Sequence, residues 1–205
     1  MTETTELRPD LKAIAALIPA GARVLDIGCG TGALLEYLVQ ERSVDGHGFD
    51  IDPEKVSQAL AKGLSVVQGD ADRDLKHYPA HSYDYVILGE TLQATRQPKE
   101  VLAEILRIAK KAVISIPNFG YWKNRLYLGL RGRMPVTKKL SYQWYETPNI
   151  HFCTIRDFVY LAEELGATIE VRQCLGASSG RAYPFRGRGC AANLLSPEGI
   201  FVLSK

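Results

Sequence analysis

The sequence predicts an α/β fold in which a mostly parallel sheet is covered by helices on both faces. Three observations predict it. Seven short apolar runs of strand type alternate with helical patterns, joined by short connections of the kind β-α-β units use. Three glycines in five residues, Gly28, Gly30 and Gly32, stand where the first strand hands over to a helix. The chain has 205 residues, 46% of them hydrophobic, enough for one domain over 1–205 with a full core.

The elements follow in order. Residues 11–18 read as a short helix, stopped by Pro19 and Gly21. Residues 23–27 form a buried strand, and Leu34, Leu35 and Leu38 give 33–40 one apolar helical face. Residues 44–49 are a second strand, broken by glycines. Pro53 marks a first helical position and Gly63 a helix end. Strand three covers 64–68 and strand four 83–88. Val101, Leu102, Ile105 and Leu106 place the core face of a helix over 98–109, followed by strand five at 112–116. Thr154 to Asp157 reads as a capping box, with Asp in place of the usual Glu, opening a helix that ends at Gly166. Strands at 168–172 and 200–203 complete the count. In such sheets ligands bind at the carboxyl ends of the strands, near the switch in strand order, so the loops after strands one to four are the place to look.

Composition excludes several classes. The net charge of +2 is too small for the whole molecule to act as an electrostatic trap for nucleic acid. The start, MTETTELRPD, has neither the basic nor the apolar region of a signal peptide, and no apolar run is long enough to span a membrane. Cys29, Cys153, Cys174 and Cys190 lie far apart with no CxxC pairing. Buried thiols in a reducing cytoplasm are the expectation, with no metal site.

Residues 24–32, VLDIGCGTG, carry the chemistry. A strand precedes the glycines and a helix follows, so backbone N–H groups can approach a ligand closely. An ordinary strand-to-helix turn is the plain alternative. Gly28, Gly30 and Ala33 also fit the looser dinucleotide pattern. Asp26 discriminates: a carboxylate beside a pyrophosphate is repelled, whereas the ammonium and sulfonium of S-adenosylmethionine are attracted.

D-I-G-C-G-T-G resembles the first motif of the Rossmann-like class I S-adenosylmethionine-dependent methyltransferases, whose sheet is seven-stranded with the last strand antiparallel. The resemblance implies cofactor contacts at Asp26, Gly28, Cys29, Gly30 and Gly32. It implies that Asp50, with Ile51 beside it, takes the ribose hydroxyls; Asp52 is the alternative acid, or simply a cap for the next helix. Asp70 and Ala71, in the likeness of the third motif, would meet the adenine. Gly89 and Glu90, ending strand four, would border the methionine end of S-adenosylmethionine or S-adenosylhomocysteine.

Residues 117–158 narrow the resemblance. With DIGCGTG, ILGETLQATRQP and IPNFGYW in order, the chain closely resembles the MetW family of bacterial methionine biosynthesis from about Leu7 onward. That resemblance implies association with the homoserine O-acyltransferase MetX, and it supplies no methyl acceptor. The residues of 117–150 stand as a basic, aromatic lid or insertion after strand five. Lys123, Arg125, Arg131, Arg133, Lys138 and Lys139 face one acid, Glu146, and Phe119, Tyr121, Trp122, Tyr127, Tyr142, Trp144 and Tyr145 are interleaved. A protein interface ranks first, a lid burying its own aromatics second, and nucleic acid third. A homodimer stays open. The 179–189 stretch, with Arg181, Arg186 and Arg188, is expected to be a solvated loop.

No catalytic residue is assigned. Methyl transfer draws most of its gain from alignment and needs a base only when the acceptor must lose a proton. His47, His77, His81, His151, Tyr121 and Tyr142 are weak candidates on spacing. Asn118 follows strand five, out of order for an amine-methylating motif. The function expected is a cytoplasmic protein of methionine biosynthesis that binds the cofactor and acts with the acyltransferase. A methyltransferase for an unidentified small molecule is the alternative, and an RNA-binding or RNA-methylating protein a third.

Overall fold

Successive residues of a strand face opposite sides of its sheet, and here both sides are apolar, so the sheet must be covered twice. The computed structural model, which describes residues 7–137, 140, 142–177 and 179–205, shows this arrangement. Along β1 (Arg23–Ile27), Val24 packs into one core while Leu25 and Ile27 pack into the other. In β4 (Tyr83–Gly89) Ile87 separates from Val86 and Leu88, and in β5 (Ala109–Pro117) Val113 separates from Ala112, Ile114 and Ile116. The first core is closed by α1 (Pro9–Ala15) and α2 (Ala33–Arg42) through Ile14, Leu34 and Leu38. The second is closed by α5 (Pro98–Ile108) and α7 (Ile155–Glu164) through Leu102, Ile105 and Phe158.

The remaining strands are β2 (Asp45–Asp50), β3 (Ser65–Gln68), β6 (Thr168–Leu175), β7 (Ala182–Pro184) and β8 (Glu198–Ser204). Their order is β3-β2-β1-β4-β5-β8-β6-β7. The first five pair in parallel, and β8 enters antiparallel between β5 and β6. Strand order reverses between β1 and β4, so the loops leaving those two strands bracket a crevice.

Helix ends follow local chemistry. Asp52 caps α3 (Pro53–Ala61), its side chain accepting from the N–H of Glu54 and Lys55. At α7 the capping box forms in full, Thr154 accepting from Asp157 N–H while Asp157 accepts from Thr154 N–H.

The sheet has eight strands rather than seven. The additional one, β7, is a three-residue edge strand in the arginine-bearing stretch expected to be a loop. It pairs antiparallel with β6 through a turn in which Gly176 N–H donates to Arg181 O at 2.9 Å. Three residues flanked by glycine carry no periodicity, so the sequence offers nothing to read there. The same holds for α4 (Ala71–Asp74) and α8 (Cys190–Leu195). Of the four thiols only Cys174 is buried, and Cys190 is exposed, against the expectation that all are buried; none is in a disulfide. Arg188 pairs with Glu163 at 3.2 Å and lies 4.6 Å from the Tyr160 ring centre. Met1 to Glu6, where the absence of a signal peptide is read, and Lys138 and Lys139 of the basic block lie outside the described residues. Among the described residues no helix is long and apolar enough to cross a membrane.

Candidate functional site

The loops after β1, β2 and β3 are tied together by one short stretch, Phe49 and Asp50. Phe49 O accepts from Gly28 N–H at 2.7 Å and Cys29 N–H at 3.2 Å. The Asp50 carboxylate accepts from Gly30 N–H at 2.7 Å through Oδ2 and from Asp52 N–H at 2.9 Å through Oδ1. Asp50 O accepts from Gly69 N–H at 2.9 Å. The loop after β4 joins by packing: a side chain at Gly28 would run into Thr91, while one at Gly30 would meet nothing. Gly28, Gly30 and Gly32 all have positive φ, at 73°, 57° and 78°, the region that L side chains disfavour. The loop is therefore locked from below and open above at Gly30.

Asp26 is buried in β1 on the same face as Val24. Burial, and then the Asp50 carboxylate, push its pKa up to about 7. A carboxyl held partly protonated under an open glycine loop lowers its energy when a cation arrives. Cys29, half-buried in the same loop, is pushed up to about 12 by burial and by both aspartates, so it stays a neutral thiol and no nucleophile. Asp70 begins α4, accepting from Asp72 N–H at 3.0 Å, and Ala71 follows it half-buried. Ile51 is exposed beside Asp50, an apolar side chain at the rim. Gly89 ends β4, and Glu90 turns there at φ 53°, its N–H donating to Ser115 O and Oγ.

Beyond Glu90 lies a cavity of about 410 Å³, lined among others by Pro9, Tyr121, Leu140 and Leu175. The residues connecting it to the loops were not legible in the sequence. Asp10 and Glu198 both line it, and with Glu90 they bring carboxylate oxygens within 4.8 Å of one another. Asp10 and Glu198 are buried, and Arg8 pairs with Asp10 at 2.8 Å. In sequence Asp10 and Glu198 each simply follow a proline, and only the fold brings α1 and β8 to the end of β4.

The weak candidates take structural places. His151 N–H donates to Gln93 O at 3.0 Å, and its ring stands 3.4 Å from Arg96 O. His47 packs edge-on against Tyr83. Asn118 is buried and serves four backbone groups, donating to Asn193 O and Ser196 O and accepting from Gly120 N–H and Ile155 N–H. After it, α6 (Trp122–Arg131) buries only Asn124. Tyr121 is buried, Phe119 stacks on Phe152 with ring centres 5.1 Å apart, and Trp122, Tyr142, Trp144 and Tyr145 are exposed.

Comparison with known proteins agrees with this architecture. The family model described as "Methionine biosynthesis protein MetW" matches residues 8–203. The bifunctional methionine biosynthesis protein MetXA/MetW of Rhodopirellula baltica is 34% identical over 173 residues, which are 80% of this chain and 28% of that protein. The chain thus spans little more than a quarter of that relative. Among solved structures, an S-adenosylmethionine-dependent methyltransferase from Thermotoga maritima, described as a possible histamine N-methyltransferase, superimposes with a TM-score of 0.69 at 18% identity. The match covers 96% of this chain and 87% of that one. The [4+2]-cyclase SpnF superimposes at 0.67 with 14% identity, over 100% of this chain and 85% of that one, so the shared fold alone does not specify methyl transfer. The loops, the sheet order and the match across almost the whole length agree: the chain has the methyltransferase fold and belongs to the MetW family of methionine biosynthesis proteins.

Proposed function

We propose that this protein binds S-adenosylmethionine or S-adenosylhomocysteine in the loops after β1–β4 and acts in the cytoplasm with a homoserine O-acyltransferase of methionine biosynthesis. The observation that carries the partnership is the relative whose name joins MetXA and MetW in one polypeptide. Fusion makes an encounter intramolecular and strengthens a modest interface without any new contact. The cofactor reading is supported by the fit of the residues to the group. Asp50 holds two acceptor oxygens at the end of β2, where two ribose hydroxyls can replace or share its backbone donors. Asp26 offers charge to the ammonium, Gly30 leaves room above the loop, and Ile51 offers an apolar surface to the adenine, with Asp70 and Ala71 across from it. Gly28, Cys29 and Gly32 shape the loop, and Gly89 and Glu90 stand at the methionine end.

Calorimetry with both ligands tests the pocket. Wild type binds, and Asp50→Ala weakens binding about 10- to 100-fold, the scale of losing hydrogen bonds to a charged acceptor. Heatless titration of the wild type would sink the cofactor reading. Acyltransferase assays with and without this protein test the partnership: a rate change is expected, and neither association nor rate change would remove it.

A second reading, a methyltransferase for a small molecule, is favoured by the cavity beyond Glu90. Its volume lies within the range of small-ligand pockets, and it lies beside Glu90, at the end proposed for the cofactor's methionine. Labelled methyl transfer to a cell extract supports this reading; cofactor that stays intact through repeated incubation counts against it.

A further inference from the structure

Helix α6 has the wrong polarity for a surface helix. Such a helix turns its apolar stripe to the core, yet α6 buries Asn124 and leaves Trp122, Leu126 and Leu130 exposed at 41%, 50% and 77%. These three are spaced i, i+4, i+8 and line one face. The sequence WKNRLYLGLR contains Lys123, Arg125 and Arg131 and no acid. Helical spacing puts Lys123, 5.7 Å from the Trp122 ring centre, and Arg125 on either border of the apolar face, while Arg131 adds a third cation over Tyr127 at 5.4 Å, on the far side of the helix. A left-handed Gly132 (φ 60°) then ends the helix.

We infer that the Trp122–Leu126–Leu130 face of α6 docks into an acid-rimmed apolar groove on the homoserine O-acyltransferase. The inference rests on the partnership proposed above and names its surface. Helix-in-groove recognition uses anchors at this spacing, and Trp with flanking Arg is the composition of energetic hot spots. Charge selects the occupant. A second copy of α6 would bring Lys123 and Arg125 of each copy together, with no acid on either helix to offset them, which is repulsive. Nucleic acid would gain phosphate contacts, but Leu126 and Leu130 offer no ring for a base to stack on. A protein groove with acids at its rim meets both the apolar face and the charge.

The test uses the full chain and the acyltransferase of the same organism, with affinity measured by calorimetry or surface plasmon resonance. Three variants are compared with wild type: Leu126→Ser/Leu130→Ser, Arg131→Glu, and Leu60→Ser, an exposed apolar position on α3. All substituted side chains are exposed, so unfolding midpoints should match wild type and confirm intact folds. The double variant is expected to lose at least 30-fold in affinity. Arg131→Glu should slow association and flatten its salt dependence, while Leu60→Ser binds as wild type. If wild type shows no binding, the partnership fails and this inference falls with it. If wild type binds and the double variant binds equally, the partnership stands and the α6 surface is overturned. Binding of wild type to anionic vesicles, or a wild-type dimer in sedimentation that the double variant abolishes, would also overturn it, assigning the face to a membrane surface or a second copy.

Discussion

The titration of Asp26 bears both on the stability of the fold and on the ligand binding proposed above. Its pKa is pushed from 3.8 to about 7 by burial, with Asp50 adding to the shift. The folded state therefore holds a proton that the unfolded chain gives up near pH 4. Between about pH 4 and pH 7 the folded state binds more protons than the unfolded state, so stability falls as pH rises across that window and levels off above it. The shift corresponds to a cost on the order of 4 kcal/mol for keeping Asp26 ionised at pH 8. Asp26→Asn is expected to flatten this slope and to stabilise the ligand-free protein at pH 8, as read by urea unfolding at pH 5, 6, 7 and 8. An unchanged slope would show that the Asp26 carboxyl does not carry it. A cationic ligand has the opposite effect, drawing Asp26 back to the ionised form. Binding of S-adenosylmethionine near pH 6 should then release protons, which calorimetry in buffers of different ionisation enthalpy detects. Asp26→Asn should lose that release together with affinity.

At the scale of elements, Asn118 is the joint between β5, α7 and α8. Its amide donates to Asn193 O at 2.8 Å and Ser196 O at 2.7 Å, and its oxygen accepts from Gly120 N–H and Ile155 N–H. All of this is buried, so removal leaves several backbone groups without a partner or water. Asn118→Ala should cost roughly 3 kcal/mol in chemical denaturation. Asn118→Asp should cost more, because two carbonyls would then face a carboxylate. A loss under 1 kcal/mol would mean that the joint is held elsewhere. Elements with strong local signals were legible in the sequence: Pro53 and Asp52 opening α3, the Thr154–Asp157 box opening α7, and the core spacing of α5. β7 and α8 were not, because each is too short to show a period. The same divide runs through the site. The β1–β4 loops were readable from motifs whose members lie within a few residues. Asp10, Thr91 and Glu198 were not, since their part depends on α1, β4 and β8 meeting at one end of the sheet.

For the whole molecule, the question is whether the loops proposed to hold the cofactor and the α6 segment proposed to meet the partner communicate. Hydrogen bonds and then a ring contact join them. Gln93, buried after β4, donates to Glu90 O, at the end of the site proposed for the methionine, and stands 3.4 Å from Asn149 Oδ1. Its own carbonyl holds His151 N–H at 3.0 Å. Residues 149–151 lead into exposed Phe152, which stacks on Phe119 just ahead of α6. A ligand that shifts Glu90 thus pulls on the base of the segment bearing α6. Coupling of this kind is a free energy and must be reciprocal. If S-adenosylmethionine changes the affinity for the acyltransferase by some factor, the acyltransferase changes the affinity for S-adenosylmethionine by the same factor. We expect a factor of roughly 5 to 150, the usual range for coupled sites, measured by titrating each ligand with and without the other. Gln93→Ala removes the side-chain link to Glu90 O and Asn149, keeping only the backbone bond to His151, and leaves Asp26, Asp50 and the α6 face in place. It should bring the factor close to one, with each separate affinity little changed. A factor of one already in the wild type would mean that the two sites are independent. In that event the cofactor would hold the loops in shape without reporting its own concentration to the partner.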